Sequence, residues 1–260
     1  MLRGLYTAYT GMLNEQYRMD IMSNNLANAD TTGFKKEGST SQAYSEVMAV
    51  KIKDVTENPN TPKRLGNMSL GVKIGETYTD FSQGSLRDTG NTYDIAIGGD
   101  GFFNIEFTSK SGETSTKYTR AGSFTLTKDG YLVTKDGDYV LGENGRIQLS
   151  TTAGNTVFDE SGNIFQDGTL VASLKLTEFE DTNYLTHYGE TMWDAKEGAV
   201  SKDAENFKIR QGYLEMSNAS VVKEMVNMIT ISRHYESNQK MLTTFDETLE
   251  KSMTLGRVSG

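Results

Sequence analysis

Residues 217–255 read SNASVVKEMVNMITISRHYESNQKMLTTFDETLEKSMTL, with no glycine or proline inside the run and Gly212 and Gly256 on either side of it. Val221, Met225, Met228, Ser232, Tyr235, Gln239 and Leu242 follow alternating steps of four and three, and Phe245, Leu249 and Met253 carry a slightly drifting stripe onward. That period predicts a helix presenting a seam to another helix. Val222, Val226 and Ile229 widen the stripe beyond what a single partner covers. Ser217 or Ser220 is placed to cap the start, and Gly256 to end the helix. Glu236 with Lys240 and Glu247 with Lys251 form oriented i to i+4 pairs. At about 1.5 Å per residue the helix would run roughly 55 to 60 Å, too long for an ordinary element of a small domain.

The other end of the chain carries the same pattern. Leu5, Tyr9, Met12, Gln16, Met19, Ser23 and Leu26 form a second four-three stripe, widened on one side by Leu2, Tyr6, Leu13 and Tyr17. Two matching seams separated by nearly two hundred residues predict terminal helices that pair with each other. Their excess apolar width predicts that further copies of the chain complete the core. The first helix is expected to stop near Asn28, where NNLANADTTGFKK brings in Asn and then Gly33, residues that tolerate turn conformations.

Between the helices the period changes. Residues 31–75 lack sustained periodicity and read as a connecting region with short strands and a loop around Pro59 and Pro62. From 76 to 213, short runs rich in β-branched and aromatic residues alternate with Gly-containing turns. Lys128-Asp129-Gly130, Lys135-Asp136-Gly137 and Glu143-Asn144-Gly145 punctuate the middle as tight hairpins. Trp193 is expected to pack over one sheet. The expected fold is α+β and mainly β. Residues 1–30 and 214–260 form a helical coiled-coil domain, 31–75 the connection, and 76–213 a central antiparallel β domain.

Composition narrows the chemistry. In 260 residues the formal net charge is -9 and the pI near 4.9, which argues against a nucleic-acid partner because a phosphate backbone needs a basic face. Absence of cysteine rules out disulfides and thiol catalysis. No apolar run approaches the roughly 18 residues that span a bilayer, so no membrane insertion is expected, and the N-terminus lacks the h-region of a cleavable secretory signal. The Asp/Gly turns superficially resemble calcium loops, but from Asp136 the fifth and sixth positions are Val140 and Leu141, and from Asp159 the sixth is Ile164. They read as hairpin turns, and no metal or cofactor is expected. Gly98-Gly99-Asp100-Gly101 lacks the Lys-Ser/Thr of a phosphate loop and reads as a turn before the strand FFNIEF. His187, in a loop-like segment, and His234, on the long helix, have no motif partner. Asp94, Asp100, Glu106, Asp159, Glu178 and Glu180 could supply the carboxylate pair of a glycosidase only with a geometry that spacing does not reveal. An envelope glycosidase and a secreted binding module therefore stand beside a self-assembling structural protein, and the structural reading, without catalysis, accounts for the two seams.

SNNLANADTTGFKK (23–36), GDGFF (99–103), YTRAGSFTLTKDGYLVT (118–134) and QGYLEMSNASVVKEMVNMI through YESNQK (211–240) together resemble the rod and hook axial protein family of the bacterial flagellum. The length, the QGYLE–SN junction and the YTRAGSF segment are closest to rod members. The resemblance implies N- and C-terminal helices forming a coiled-coil inner domain that lines a channel, a β-rich outer domain, and a homopolymer stacked as a tubular helical assembly. It also implies adjacent rod and hook proteins and the flagellar type III export apparatus as partners, and a place in the basal body outside the cytoplasmic membrane. The assembly interface expected from the seams comprises Leu5, Tyr9, Met12, Met19, Leu26, Val221, Val222, Met225, Val226, Met228, Ile229, Tyr235 and Leu242. The shared motifs add Asn24, Asn25, Asn28, Gly33, Phe34, Ser217, Asn218 and Asn238.

Overall fold

The computed structural model describes residues 2–51, 63–109, 112–152 and 154–258. The chain is mainly β, with α1 at Leu2–Ala27 and α2 at Val221–Val258, and it divides into two compact units. One unit comprises Met1–Leu26, Glu37–Tyr78 and Val221–Gly260; the other comprises Ala27–Lys36 and Thr79–Ser220.

In the first unit α1 ends where the Asn-rich segment begins, as the loss of apolar period predicts. The second helix starts where the Ser220 placement allows and departs from expectation at its far end. It begins at Val221, the Ser217 hydroxyl accepting from the Ala219 N–H in the turn ahead of it, and it runs through Gly256 to Val258. A single glycine costs a helix interior only about 1 kcal/mol relative to alanine, too little to stop thirty-five preceding helical residues. The two helices touch at defined points. A Cβ built on Gly4 would lie 2.7 Å from Phe245 Cζ, and one on Gly11 would lie 3.0 Å from Asn238 Nδ2. Seven residues up α1 correspond to seven residues down α2, so the helices run in opposite directions there. The rest of this unit is β-ribbon: Glu37–Ala43 pairs with Val72–Thr79, and Val47–Lys51 pairs antiparallel with Lys63–Met68. The loop expected around Pro59 and Pro62 lies outside the described residues.

The second unit is built on a ten-stranded sheet. Its centre is the strand Phe102–Thr108, bonded on one edge to Thr114–Thr119 and on the other to Tyr139–Gly142 and Leu176–Phe179, all antiparallel. Because successive side chains on a strand face opposite sides, Phe102 and Phe103 enter different cores. Phe103 joins Ile95, Ile97, Phe124, Leu132, Val140 and Ile209 in the larger cluster. Phe102 packs with Phe179 and with Trp193, which is fully buried and lies 5.6 Å from the Phe102 ring and 5.5 Å from Phe81. All three Lys/Glu-x-Gly turns named from sequence join neighbouring strands. In the GGDG segment Gly98 and Gly99 end the strand Ile95–Gly99 and Asp100 makes the bend before the next strand. His187 differs from the loop placement expected for it. It lies in the strand Leu185–Tyr188, directly opposite Trp193, because the aromatic partner across the strand pair gives that short segment a face to pack on.

Candidate assembly interface

In the helical unit the residues divide into a face used within the chain and a face left open. Along α2 the covered positions include Glu224, Met228, Ile231, Tyr235, Asn238, Leu242, Phe245 and Leu249 at steps of four and three, with Asn227 and Ser232 half-buried beside them. Ile231 and Glu224 are the most deeply buried of them. Of the residues read from the sequence, Met228, Tyr235, Asn238 and Leu242 therefore sit on or beside the covered face. Val221, Val222, Met225, Val226 and Ile229 do not. They form an exposed apolar band over the first three turns, with Val222 73% and Met225 51% exposed. Glu224 is the polar exception on the covered face, with one carboxylate oxygen buried and unpartnered among the described residues.

On α1 the covered face includes Ala8 and the glycines that meet α2, so Gly4, Ala8 and Gly11 form a run of small residues at four-three spacing. Leu5, Met12, Met19 and Leu26 are half-buried beside it, while Tyr9 is exposed and Asn24 is exposed at the helix end. Tyr6 and Tyr17, about 60% exposed, continue the open aromatic face. Asn25 is committed within the chain: its Nδ2 donates to the Glu37 carbonyl at 2.8 Å and its Oδ1 accepts from the Glu37 N–H at 2.9 Å. Asn14 similarly ties α1 to Ser41.

In the β-rich unit the shared motifs converge on one buried charge cluster. Lys35, from TTGFKK, places Nζ 2.6 Å from Glu215 Oε1, in QGYLE, and donates to the Ser82 carbonyl at 2.9 Å. The Gly84 N–H donates to the same carboxylate oxygen at 3.0 Å. Arg120, from YTRAGSF, has Nη1 3.5 Å from Glu215 Oε2, an ion contact without hydrogen-bond geometry, and donates to the Gly99 carbonyl of GDGFF at 2.9 Å. These side chains are almost wholly shielded, at 1%, 0% and 5% exposure for Lys35, Glu215 and Arg120. Burial pushes the Lys35 ammonium below its ordinary value, with Glu215 opposing the shift, and burial likewise lowers Arg120. Four motifs scattered through the chain are thus one structural junction.

The flanking residues lock it. Gly33 has φ +72°, and a Cβ there would lie 2.3 Å from the Ala121 backbone nitrogen, so only glycine fits. Its N–H donates to the Glu215 carbonyl. Phe34 is buried edge-on to His187. Asn218 Oδ1 accepts from the Lys36 N–H at 2.8 Å, and its Nδ2 donates to the Asp80 carbonyl at 2.7 Å. Ser217 is buried and Asn28 half-buried. Sequence reasoning placed Gly33, Phe34, Ser217 and Asn218 in the interface but missed Lys35, Arg120 and Glu215. The signal available was one charged residue inside each of YTRAGSF and QGYLE and the lysine pair that ends TTGFKK.

Two of the acids considered for catalysis are engaged otherwise. Asp94 accepts from Thr89 and Asn91, and Glu106 takes a bidentate hydrogen bond from Arg146. Among the described residues no group of three or more His, Cys, Asp or Glu could hold a metal ion, and no helix is long and apolar enough to cross a membrane.

Three family models match the chain. They are described as flagella basal body rod protein (residues 5–35), flagellar hook protein FlgE/F/G D1 domain (96–166) and flagellar basal body rod FlgEFG protein C-terminal (210–255). The flagellar basal-body rod protein FlgG of Bacillus subtilis is 33% identical, covering 99% of this chain and all of that protein. FlgG of Agrobacterium fabrum is 32% identical over 95% of this chain and 96% of that protein. The flagellar basal-body rod protein FlgF of Caulobacter vibrioides is 31% identical over the full length of both.

Proposed function

The chain belongs to the flagellar basal-body rod protein family and is a structural subunit of that rod in the bacterial flagellum, and on that premise we propose that it is the distal rod subunit. In this reading copies of the chain self-assemble into a tubular drive shaft that transmits torque and forms the export channel wall, and they catalyse no reaction. FlgG relatives alignable over nearly the whole chain support the distal position, and a proximal rod or hook position is the alternative. The terminal helices pair as an antiparallel coiled coil forming an inner domain of residues 1–30 and 214–260, with 31–75 as connection and 76–213 as the outer β domain. Adjacent rod and hook proteins and the flagellar type III export apparatus are the expected partners.

One observation carries the assembly reading. One stripe of α2 is covered within the chain, while Val221, Val222, Met225, Val226 and Ile229 stand open beside it. Burying a side chain of this kind contributes about 1.5–3 kcal/mol, so the open band favours association with further copies. An aspartate at its centre opposes that burial. We expect Met225→Asp, and independently Leu5→Asp, to abolish concentration-dependent polymerisation followed by light scattering and electron microscopy. Fluorescence of Trp193, buried in the β-rich unit, should remain native. Polymerisation of both variants at the wild-type threshold would overturn the assignment of the helices as the assembly element.

A further inference from the structure

Among the described residues of the β-rich unit, the exposed large apolar side chains fall into two groups. The first lies on the three-stranded sheet of Thr156–Phe158, Asn163–Gln166 and Thr169–Ser173. One face of that sheet closes the larger core, with Phe158 and Ile164 buried in it and Ala172 packed against it. The opposite face is apolar as well. Val157 stands opposite Phe165 and Phe165 opposite Leu170, a row that crosses all three strands. A register shift beside the row leaves Val171 without a partner across the strand, and it too is exposed. Leu170 is 59% exposed, and residues 168–174 carry no charged side chain. An antiparallel sheet with one face in water alternates apolar-in with polar-out. One that is apolar on both faces is built to be covered on both.

The second group is Tyr184 and Val200. Their chain neighbours Leu185 and Ala199 pack on the smaller cluster of Phe102, Phe179 and Trp193. Gly198 sits against the Tyr184 ring, where a Cβ would lie 3.7 Å from Cε1, and Val200 is 61% exposed. Tyr188, also exposed, is already engaged by Phe107 and Lys117. Phe102 and Phe103 face opposite sides of the central strand and enter the smaller and the larger cluster respectively, so the two groups flank the unit from opposite sides. A patch that pairs with itself gives a closed two-fold dimer, whereas two different patches on opposite sides give a head-to-tail contact that repeats without closing.

We propose that the outer face of the three-stranded sheet docks on the Tyr184–Val200 surface of a second copy of this chain, a head-to-tail contact that adds to that of the helices. The contact presupposes the homopolymer proposed above. A handful of side chains falls short of the roughly 20–30 residues a side of a free-standing interface, so it forms where the helices already hold copies at high effective concentration.

The chain has no cysteine, so Leu170→Cys and Val200→Cys, both at exposed positions, place single thiols in the two patches. Polymer grown from the purified double variant and treated with a short bis-maleimide should give a ladder of covalent oligomers on a denaturing gel. Polymer of either single variant should run as monomer, and so should the double variant kept below the polymerisation threshold. Leu170→Asp should leave Trp193 emission native and raise that threshold at least about ten-fold. The proposal is overturned if polymer of the double variant gives no ladder, if Leu170→Cys alone cross-links as well, which would make the patch self-pairing, or if Leu170→Asp polymerises at the wild-type threshold. A wild-type chain that forms no polymer at all would instead overturn the assembly reading, and this contact with it.

Discussion

Replacing Glu215 by Gln keeps the size of the side chain and an oxygen that accepts from Lys35 and Gly84, and removes only the charge. What remains is two buried cations, Lys35 and Arg120, without the carboxylate they share. Breaking a buried pair from one side costs about 3–5 kcal/mol, and this carboxylate faces two cations rather than one. In urea, with a slope of about 2 kcal/mol per M for a unit of this size, the midpoint should fall by roughly 1.5–2.5 M. Trp193 is the only tryptophan and is fully buried in the same unit, so its emission reports the transition. The variant should also acquire a pH dependence. In the wild type the folded Lys35 pKa already lies below its ordinary 10.5 because of burial, with Glu215 working against the shift. Over the interval between the folded value and 10.5 the unfolded chain binds more protons, so stability rises with pH there. Below the interval both states are protonated and the slope vanishes. Removing Glu215 depresses the folded value further and extends the interval downward, so raising the pH should return part of the lost stability, and begin to do so at lower pH than in the wild type. A double-mutant cycle with Lys35→Met separates the pair from its surroundings. A Glu215→Gln variant within about 1 kcal/mol of wild type, with additive Lys35→Met, would refute the claim that the four motifs are held by charge at their centre.

Gly33→Ala should destabilise the β-rich unit by at least about 2 kcal/mol, since the residue needs a positive φ and its Cβ would meet the Ala121 backbone; urea unfolding followed by Trp193 emission reads the loss. Asn25→Ala removes two hydrogen bonds to Glu37, worth about 1–3 kcal/mol together, and should speed exchange of the Glu37 amide by roughly 5- to 150-fold in native-state hydrogen exchange. Asp80 is held below its ordinary 3.8 by the hydrogen bond from the Ser82 backbone, helped by the Ser82 side chain and Lys36. Its contribution is complete above that value and lost as pH falls through the folded one, so the stability gap between wild type and Asp80→Asn should close in acid.

The sequence by itself determined the two helices, the turns and the family, because each is written in local chemistry. A four-three apolar period over four or more turns has few other readings, and Asp-Gly or Asn-Gly between alternating runs forms a hairpin almost regardless of context. Even the open band on α2 was legible, as a stripe too wide for one partner. Which part of that stripe is covered was not, because it depends on where Gly4, Ala8 and Gly11 bring the other helix. The end of α2 was also misplaced, since one glycine costs a helix only about 1 kcal/mol. Only the tertiary structure decided that Lys35, Arg120 and Glu215 are one cluster. Lys35 and Glu215 are 180 residues apart. A charged residue's partner at that separation is set by how distant segments fold against one another, which no window of sequence contains.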